Sequence, residues 1–168
     1  WSDSMAGMLR RSRQDMIHEH GADFRKSDAM LTPFRQGTLL VLTSDEELAG
    51  IVSHAIEGLG ANGPRLSTVH NLADCLVALR LLAPSLVIVD DATFPASGAE
   101  ILDDLLQVRP GTPIIYFASK HTLDLERDVR RRGVLFYVQM PESPEQLDAV
   151  LERLLGAFVR DAQVRGVH

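Results

Sequence analysis

Cysteine is nearly missing from this chain: Cys75 is the only one in 168 residues. An internal disulfide is therefore excluded, and the chain fits a reducing compartment. Cys75 lies in an apolar helical stretch, which reads as core and not as a nucleophile. Aromatic residues make up only 5%, so the core has to be aliphatic. No apolar run approaches the ~20 residues that a membrane helix needs. The opening Trp1-Ser2-Asp3-Ser4-Met5 lacks the apolar segment of a secretory leader. These absences point to a cytoplasmic protein. An initiator Met is also lacking, as in a piece of something longer. Positive charge is in short supply: the net charge is −6 at pH 7. That argues against direct nucleic-acid contact by this chain, because releasing counterions from phosphates takes a basic surface. What remains is ordinary globular composition, 45% hydrophobic and 24% charged, at a length that suits one domain with an appendage.

The order along the chain is uneven. Residues 1–37 carry six basic and five acidic residues, so the remainder holds a net −7. Met5, Met8, Leu9, Ser12 and Met16 share one face of a short amphipathic helix that Gly21 would end. Residues 22–37, with Pro33 and Gly37, read as a connector, so 1–37 is an N-terminal extension, partly helical or disordered. From Thr38 onward, short apolar runs alternate with helical periodicity. The runs are Leu39–Leu42, Arg65–His70, Leu86–Val89, Pro113–Phe117 and Val134–Val138. The helices are Asp45–Leu59, Leu72–Leu82, Gly98–Val108, Leu123–Arg132 and Ser143 to about Val159. In the second helix Leu72, Leu76, Leu79 and Leu82 are expected to face inward. Ser143, Pro144 and Gln146 form a helix-starting signature. Phe158, Val159, Ala162 and Val164 continue an apolar pattern, so 159–168 is a helix extension or a linker. Five βα units in strict alternation imply an α/β fold: a doubly wound, five-stranded parallel sheet of flavodoxin type, order 2-1-3-4-5. Function in such sheets sits at the carboxyl ends of the strands, beside the switch in strand order.

Strand 3 ends in Asp90-Asp91, a carboxylate at the rim of an apolar sheet. Pro84 to Asp90 resembles the phosphoacceptor strand of the receiver domain of two-component response regulators, and the resemblance spans residues 38–158. Pro95 and Gly98 follow close to that family's proline and glycine, the proline one residue late. Pro113–Phe117 resembles its fourth strand, Gly133–Pro141 its fifth strand and the Lys-Pro ending, and Ser143–Leu147 the start of its last helix. The resemblance implies signal transduction: two acidic residues after strand 1 and an aspartate after strand 3 hold Mg²⁺, and the aspartate accepts a phosphoryl group. A Thr or Ser after strand 4 and a Lys after strand 5 bind the phosphate. These are the groups that a hard cation and a crowd of anionic oxygens demand.

This chain departs from that pattern. Thr43 and Ser44 stand at the acidic pair, Ala118 at the Thr/Ser position and Met140 at the Lys position, while Asp90, Pro141 and Tyr137 match. Asp45, Asp91, Ser119 and Lys120 are neighbours, but a one-residue slip turns a strand side chain to the other face. The reading is a degenerate pseudo-receiver with no cofactor and no enzymatic activity. It would act by protein–protein contact within a signal-transduction or transcription regulator, with Asp90 a vestigial phosphoacceptor. Two alternatives stand beside it. One is a phosphorylatable receiver in which Asp90 accepts phosphate with makeshift Mg²⁺ ligands. The other is a small-ligand sensor with a less polar pocket among Thr43, Asp90, Ala118 and Met140.

The resemblance also suggests a homodimer through helix 4, strand 5 and helix 5. Arg130 and Arg131 would meet Asp148 and Glu152, with Tyr137 on the same face, held in one orientation by packing. His18-Glu19-His20 does not converge on a metal, since i and i+2 on a helix point apart. The Gly58–Gly63 turn follows a helix and precedes a strand, the reverse of a phosphate-cradling loop.

Overall fold

A computed structural model describes residues 37–94 and 98–165. The expected Met-rich helix near residues 5–16, most of the connector and Pro95 lie outside the described residues. Five strands form one parallel sheet: β1 (Thr38–Leu42), β2 (Arg65–Val69), β3 (Leu86–Asp90), β4 (Ile114–Ala118) and β5 (Phe136–Gln139). Their order is β2-β1-β3-β4-β5, the doubly wound arrangement that the alternation predicts. The helices are α1 (Glu46–Glu57), α2 (Leu72–Leu82), α3 (Gly98–Val108), α4 (Leu123–Arg131) and α5 (Pro144–Arg165).

The central strands are apolar throughout because both faces are covered. Alternate residues of each strand serve different layers. Leu39, Val41, Leu86, Ile88, Ile115 and Phe117 pack toward α1 and α5, against Leu48, Val52, Leu147, Leu151 and Leu155. Leu40, Leu42, Val87, Val89, Ile114 and Tyr116 pack toward α2, α3 and α4, against Cys75, Leu79, Leu102, Leu105 and Val129. Cys75 is fully buried, and burial pushes its thiol up to about 12, which makes it an inert core residue.

Local chemistry sets the helix ends. Asp45 caps α1, accepting from Glu47 N at 2.9 Å. Asn71 caps α2 through Asp74 N at 2.8 Å. Thr122 caps α4 through Leu125 N at 3.1 Å. At the start of α5, Ser143 Oγ accepts from Gln146 N at 3.3 Å. Helix α2 closes on Ala83 in the left-handed region (φ 47°), and Pro84 follows.

Three expectations shift. Strand β5 begins at Phe136, two residues late, because Val134 follows the left-handed Gly133 (φ 84°) and only Leu135 N reaches across, to Ile114 O at 2.8 Å. Leu82 does not face inward: it is 43% exposed as the last residue of α2, just before the left-handed Ala83. Helix α5 continues to Arg165. Among the described residues, no helix is long and apolar enough to cross a membrane.

Candidate functional site

The parallel sheet brings the ends of β1, β3 and β4 side by side, and their next residues meet above the apolar core. Asp90 closes β3 with only 2% of its surface exposed. Its strand parity is that of Leu86 and Ile88, so it points toward the α1 side. Thr43 follows β1, is fully buried, and has the same parity as Val41. Its hydroxyl donates to Asp90 Oδ2 at 2.7 Å. Ala92 N–H donates to Asp90 Oδ1 at 3.1 Å, and the Thr93 hydroxyl approaches Oδ2 at 3.4 Å. Burial raises the pKa of the Asp90 carboxyl, and repulsion from Asp91 adds to it; the bonds from Thr43, Ala92 and Thr93 work in the opposite direction. Thr43 is fixed in turn. Its Oγ1 accepts from Asp45 N at 3.0 Å, and its carbonyl accepts from His70 Nδ1 at 2.8 Å.

Ser44 does not join Asp90. It is exposed, and its N–H and hydroxyl meet Thr93 Oγ1 at 2.9 and 3.4 Å. Chain alternation turns it away from Thr43's side and out over the short turn of Asp91–Thr93. Asp45 cannot stand in for a missing ligand, since its carboxylate is spent on the first amides of α1.

Asp91 has a separate task. It leaves the sheet on the opposite face, where its Oδ2 accepts from the buried Tyr116 hydroxyl at 3.2 Å and its Oδ1 accepts from Ser119 N–H at 2.6 Å. The second bond ties the turn after β3 to the loop after β4. Gly98 leaves room for this arrangement: a Cβ there would run into the Tyr116 hydroxyl and come within 2.8 Å of Asp91 Cβ. Tyr116 and Tyr137 stack at 6.0 Å between centroids, 11° apart. The Tyr137 hydroxyl is hydrogen-bonded to His121 Nδ1 at 3.0 Å, and the Arg130 guanidinium lies 5.8 Å over the Tyr137 ring. Tyr137 is thus held in one setting by three partners. Removing the Asp91 clamp, as in Asp91→Ala, leaves the buried Tyr116 hydroxyl and the Ser119 amide without their acceptor. We expect a loss of about 1–3 kcal/mol and faster deuterium exchange at the Ser119 amide. Unchanged exchange there would show that the clamp does not hold the loop.

Ala118 and Met140 complete the comparison with the sequence expectations. Ala118 is fully buried, and its carbonyl accepts from Met140 N at 2.9 Å. The half-buried Met140 packs with the α1 and α5 layer. Neither offers a charge or a hydroxyl beside Asp90. Lys120 and Ser119 are exposed. The residues at hand do not fit Mg²⁺: one carboxylate, already triply hydrogen-bonded, faces a neutral hydroxyl. Among the described residues, no group of three or more His, Cys, Asp or Glu is placed to hold a metal ion.

The residues expected at a contact between copies have these settings within one chain. Asp148 turns toward α1, with Oδ1 3.5 Å from His54 Nδ1. Arg130 is engaged by Glu126 of its own helix at 2.8 Å. Arg131 and Glu152 are exposed. Of the consecutive Arg130, Arg131 and Arg132, the last binds Asp103 at 2.9 and 3.1 Å and also pairs with Asp128.

Sequence reasoning missed Thr93, Tyr116 and His121 as members of this network. Hydroxyls and an imidazole in loops and strands carry no spacing signal of their own.

The order of the sheet and the carboxylate at the end of its third strand define the fold of response-regulator receiver domains. Solved structures agree. A CheY-like receiver domain protein from Methanospirillum hungatei matches with a TM-score of 0.62 at 18% identity, over 77% of this chain and 98% of that one. The phosphorylated cyanobacterial phytochrome response regulator RcpA matches with a TM-score of 0.63 at 13% identity, over 74% of this chain and 94% of that one. In sequence, the chain is similar to the DNA-binding transcriptional regulator NtrC of Escherichia coli K12, 23% identical over 133 residues, 79% of this chain. The chain spans 28% of that regulator's length. No protein-family model matches the chain.

Proposed function

We propose that this chain is a receiver-like regulatory module of a signal-transduction or transcription regulator, and that it works through protein contacts without Mg²⁺-dependent phosphorylation. The observation that carries this reading is the 2.7 Å bond from buried Thr43 to Asp90. A neutral hydroxyl occupies the place of a metal-binding carboxylate and satisfies the aspartate that would otherwise attack phosphorus. The remaining oxygen positions of Asp90 face Ala92 and Thr93. Beyond it stand a methyl group at Ala118 and a thioether at Met140, so a transferred phosphoryl group would find neither hydroxyl nor cation there. The Asp91 clamp on Ser119 N–H fixes the loop after β4 without any modification of Asp90. The similarity to NtrC, a transcriptional regulator, is consistent with a regulatory parent protein.

The test is incubation of the full chain with acetyl phosphate and Mg²⁺, followed by intact-mass measurement under acidic conditions. No phosphoryl adduct should form. An adduct that disappears in Asp90→Asn would overturn the reading and establish Asp90 as a working phosphoacceptor.

A further inference from the structure

A shallow groove of about 340 Å³ lies between α1 and α5. Gly50, Ile51 and Pro144 give it an apolar lining, and Glu47, Glu145 and Asp148 add three carboxylates. Among the described residues no Lys or Arg lines it, and His54 is its one base. The Glu47 and Glu145 carboxylates meet no cation there. Asp148 Oδ1 has no hydrogen-bond partner, with His54 Nδ1 3.5 Å away. Carboxylates gathered round apolar surface repel one another until a cation comes between them.

We infer that residues 4–14 dock in the α1–α5 groove of their own chain, with Arg10, Arg11 and Arg13 set against Glu47, Glu145 and Asp148. Charge and composition choose this occupant. The segment belongs to residues 1–36, which lie outside the described residues. It carries those three arginines, no Asp or Glu, and the apolar Met5, Met8 and Leu9. A guanidinium fork matches a carboxylate, and an unbranched Met side chain adapts to an irregular apolar surface. The chain is also connected in the right place. Gly37 directly precedes β1, and α1 packs beside β1. The groove lies along the first turns of α1, close to the carboxyl end of β1, and five strand residues rise only ~17 Å. Twenty-four residues separate Arg13 from Gly37, enough to extend ~80 Å. The contact is intramolecular, so a modest intrinsic affinity suffices. Another basic run, Arg130 to Arg132, is committed elsewhere: Arg130 pairs with Glu126, and Arg132 with Asp103 and Asp128. A second groove, about 530 Å³ beside Pro110 and Val134, has Arg132 as its one charged lining residue and offers the segment no anion. Any partner that uses the α1–α5 face must first displace the arginines. The inference does not rest on the state of Asp90.

Disulfide trapping in the full chain tests it. Ser12→Cys is paired with Gly50→Cys, at a position where an added Cβ meets nothing within 4 Å. The control pairs Ser12→Cys with Val77→Cys, 54% exposed on α2 across the sheet. Cys75 is buried and does not react. Under mild oxidation of dilute protein, the Gly50 pair should close within one chain at least tenfold faster than the control pair. That ratio should fall to near one when Arg10→Glu, Arg11→Glu and Arg13→Glu are combined. It should recover when Glu47→Arg and Glu145→Arg are added, a rescue that misfolding cannot produce. It should also fall in ~1 M salt, where the screening length is ~3 Å. Any of three results would overturn the inference: equal rates for the two pairs, a ratio indifferent to the arginine reversal, or a disulfide that joins two chains, which would give the groove to a second copy.

Discussion

Thr43→Asp is expected to destabilise the folded chain by about 2–4 kcal/mol at pH 7 without divalent ions. Three losses combine. Asp90 gives up its shortest hydrogen bond, from a hydroxyl 2.7 Å away. The new carboxylate stands against a buried one, and two anions at that separation cannot both ionise without cost. Asp45 N, which now donates to Thr43 Oγ1 at 3.0 Å, must find its acceptor in a charged group whose other oxygen faces Asp90. The deficit relative to the parent should shrink as pH falls, because the pair can then share a proton. Magnesium ions separate the two proteins further. The parent's melting temperature should not respond to 10 mM Mg²⁺, whereas that of Thr43→Asp should rise, since a cation that binds only the folded state stabilises it by mass action. Denaturant unfolding at pH 7 and pH 5, with and without Mg²⁺, measures all of this. A variant as stable as its parent at pH 7 would show that Thr43 does not hold Asp90.

Asp90→Asn runs in the opposite direction. In the folded chain the Asp90 carboxyl has a raised pKa, chiefly through burial, while in the unfolded chain it titrates in the ordinary carboxylate range. Between those two values the folded state binds more protons than the unfolded one. The parent's stability therefore falls as pH rises through that window. Asparagine has no charge to desolvate. Its amide can serve the same site, because the Thr43 hydroxyl can accept as readily as it donates. The variant should match the parent below the ordinary carboxylate range and exceed it above the folded-state value. At pH 7 the gain should be about 1 kcal/mol, or roughly 2–4 °C in melting temperature. The pH dependence of the difference is the diagnostic reading. A variant less stable than the parent at every pH would mean that the charge of Asp90 is itself a structural requirement.

Much of the fold was legible because burial on both faces writes an unbroken apolar run. Leu86-Val87-Ile88-Val89 could hardly be anything but a central strand, and it is fully buried. Helix α2 was bounded correctly because Asn71 and Pro84 punctuate it chemically. Strand β5 was misplaced because Val134 and Leu135 look like strand residues, and only the tertiary path out of Gly133 decides which residues pair. Leu82 was expected inward because periodicity groups it with Leu79, but it stands at the very end of the helix, where it is exposed. At the site, Thr43, Ser44 and Asp90 were singled out together, and the structure joins Thr43 to Asp90 while Ser44 turns to Thr93. Asp91 was set aside because alternation turns it from Asp90, and the turn is real. What alternation could not reveal is that the face it turns to holds the Tyr116 hydroxyl and the free amide of Ser119.

Helix α5 has a mechanical consequence. Among the described side chains its last fully buried one is Leu155, yet the helix runs on to Arg165, a further ten residues or about 15 Å of rod. Each residue along that rod advances ~1.5 Å and swings the azimuth by ~100°. A reporter fused to its tip would therefore be aimed by the body of the domain, and inserting one residue before it would point it a quarter-turn away while barely changing its distance.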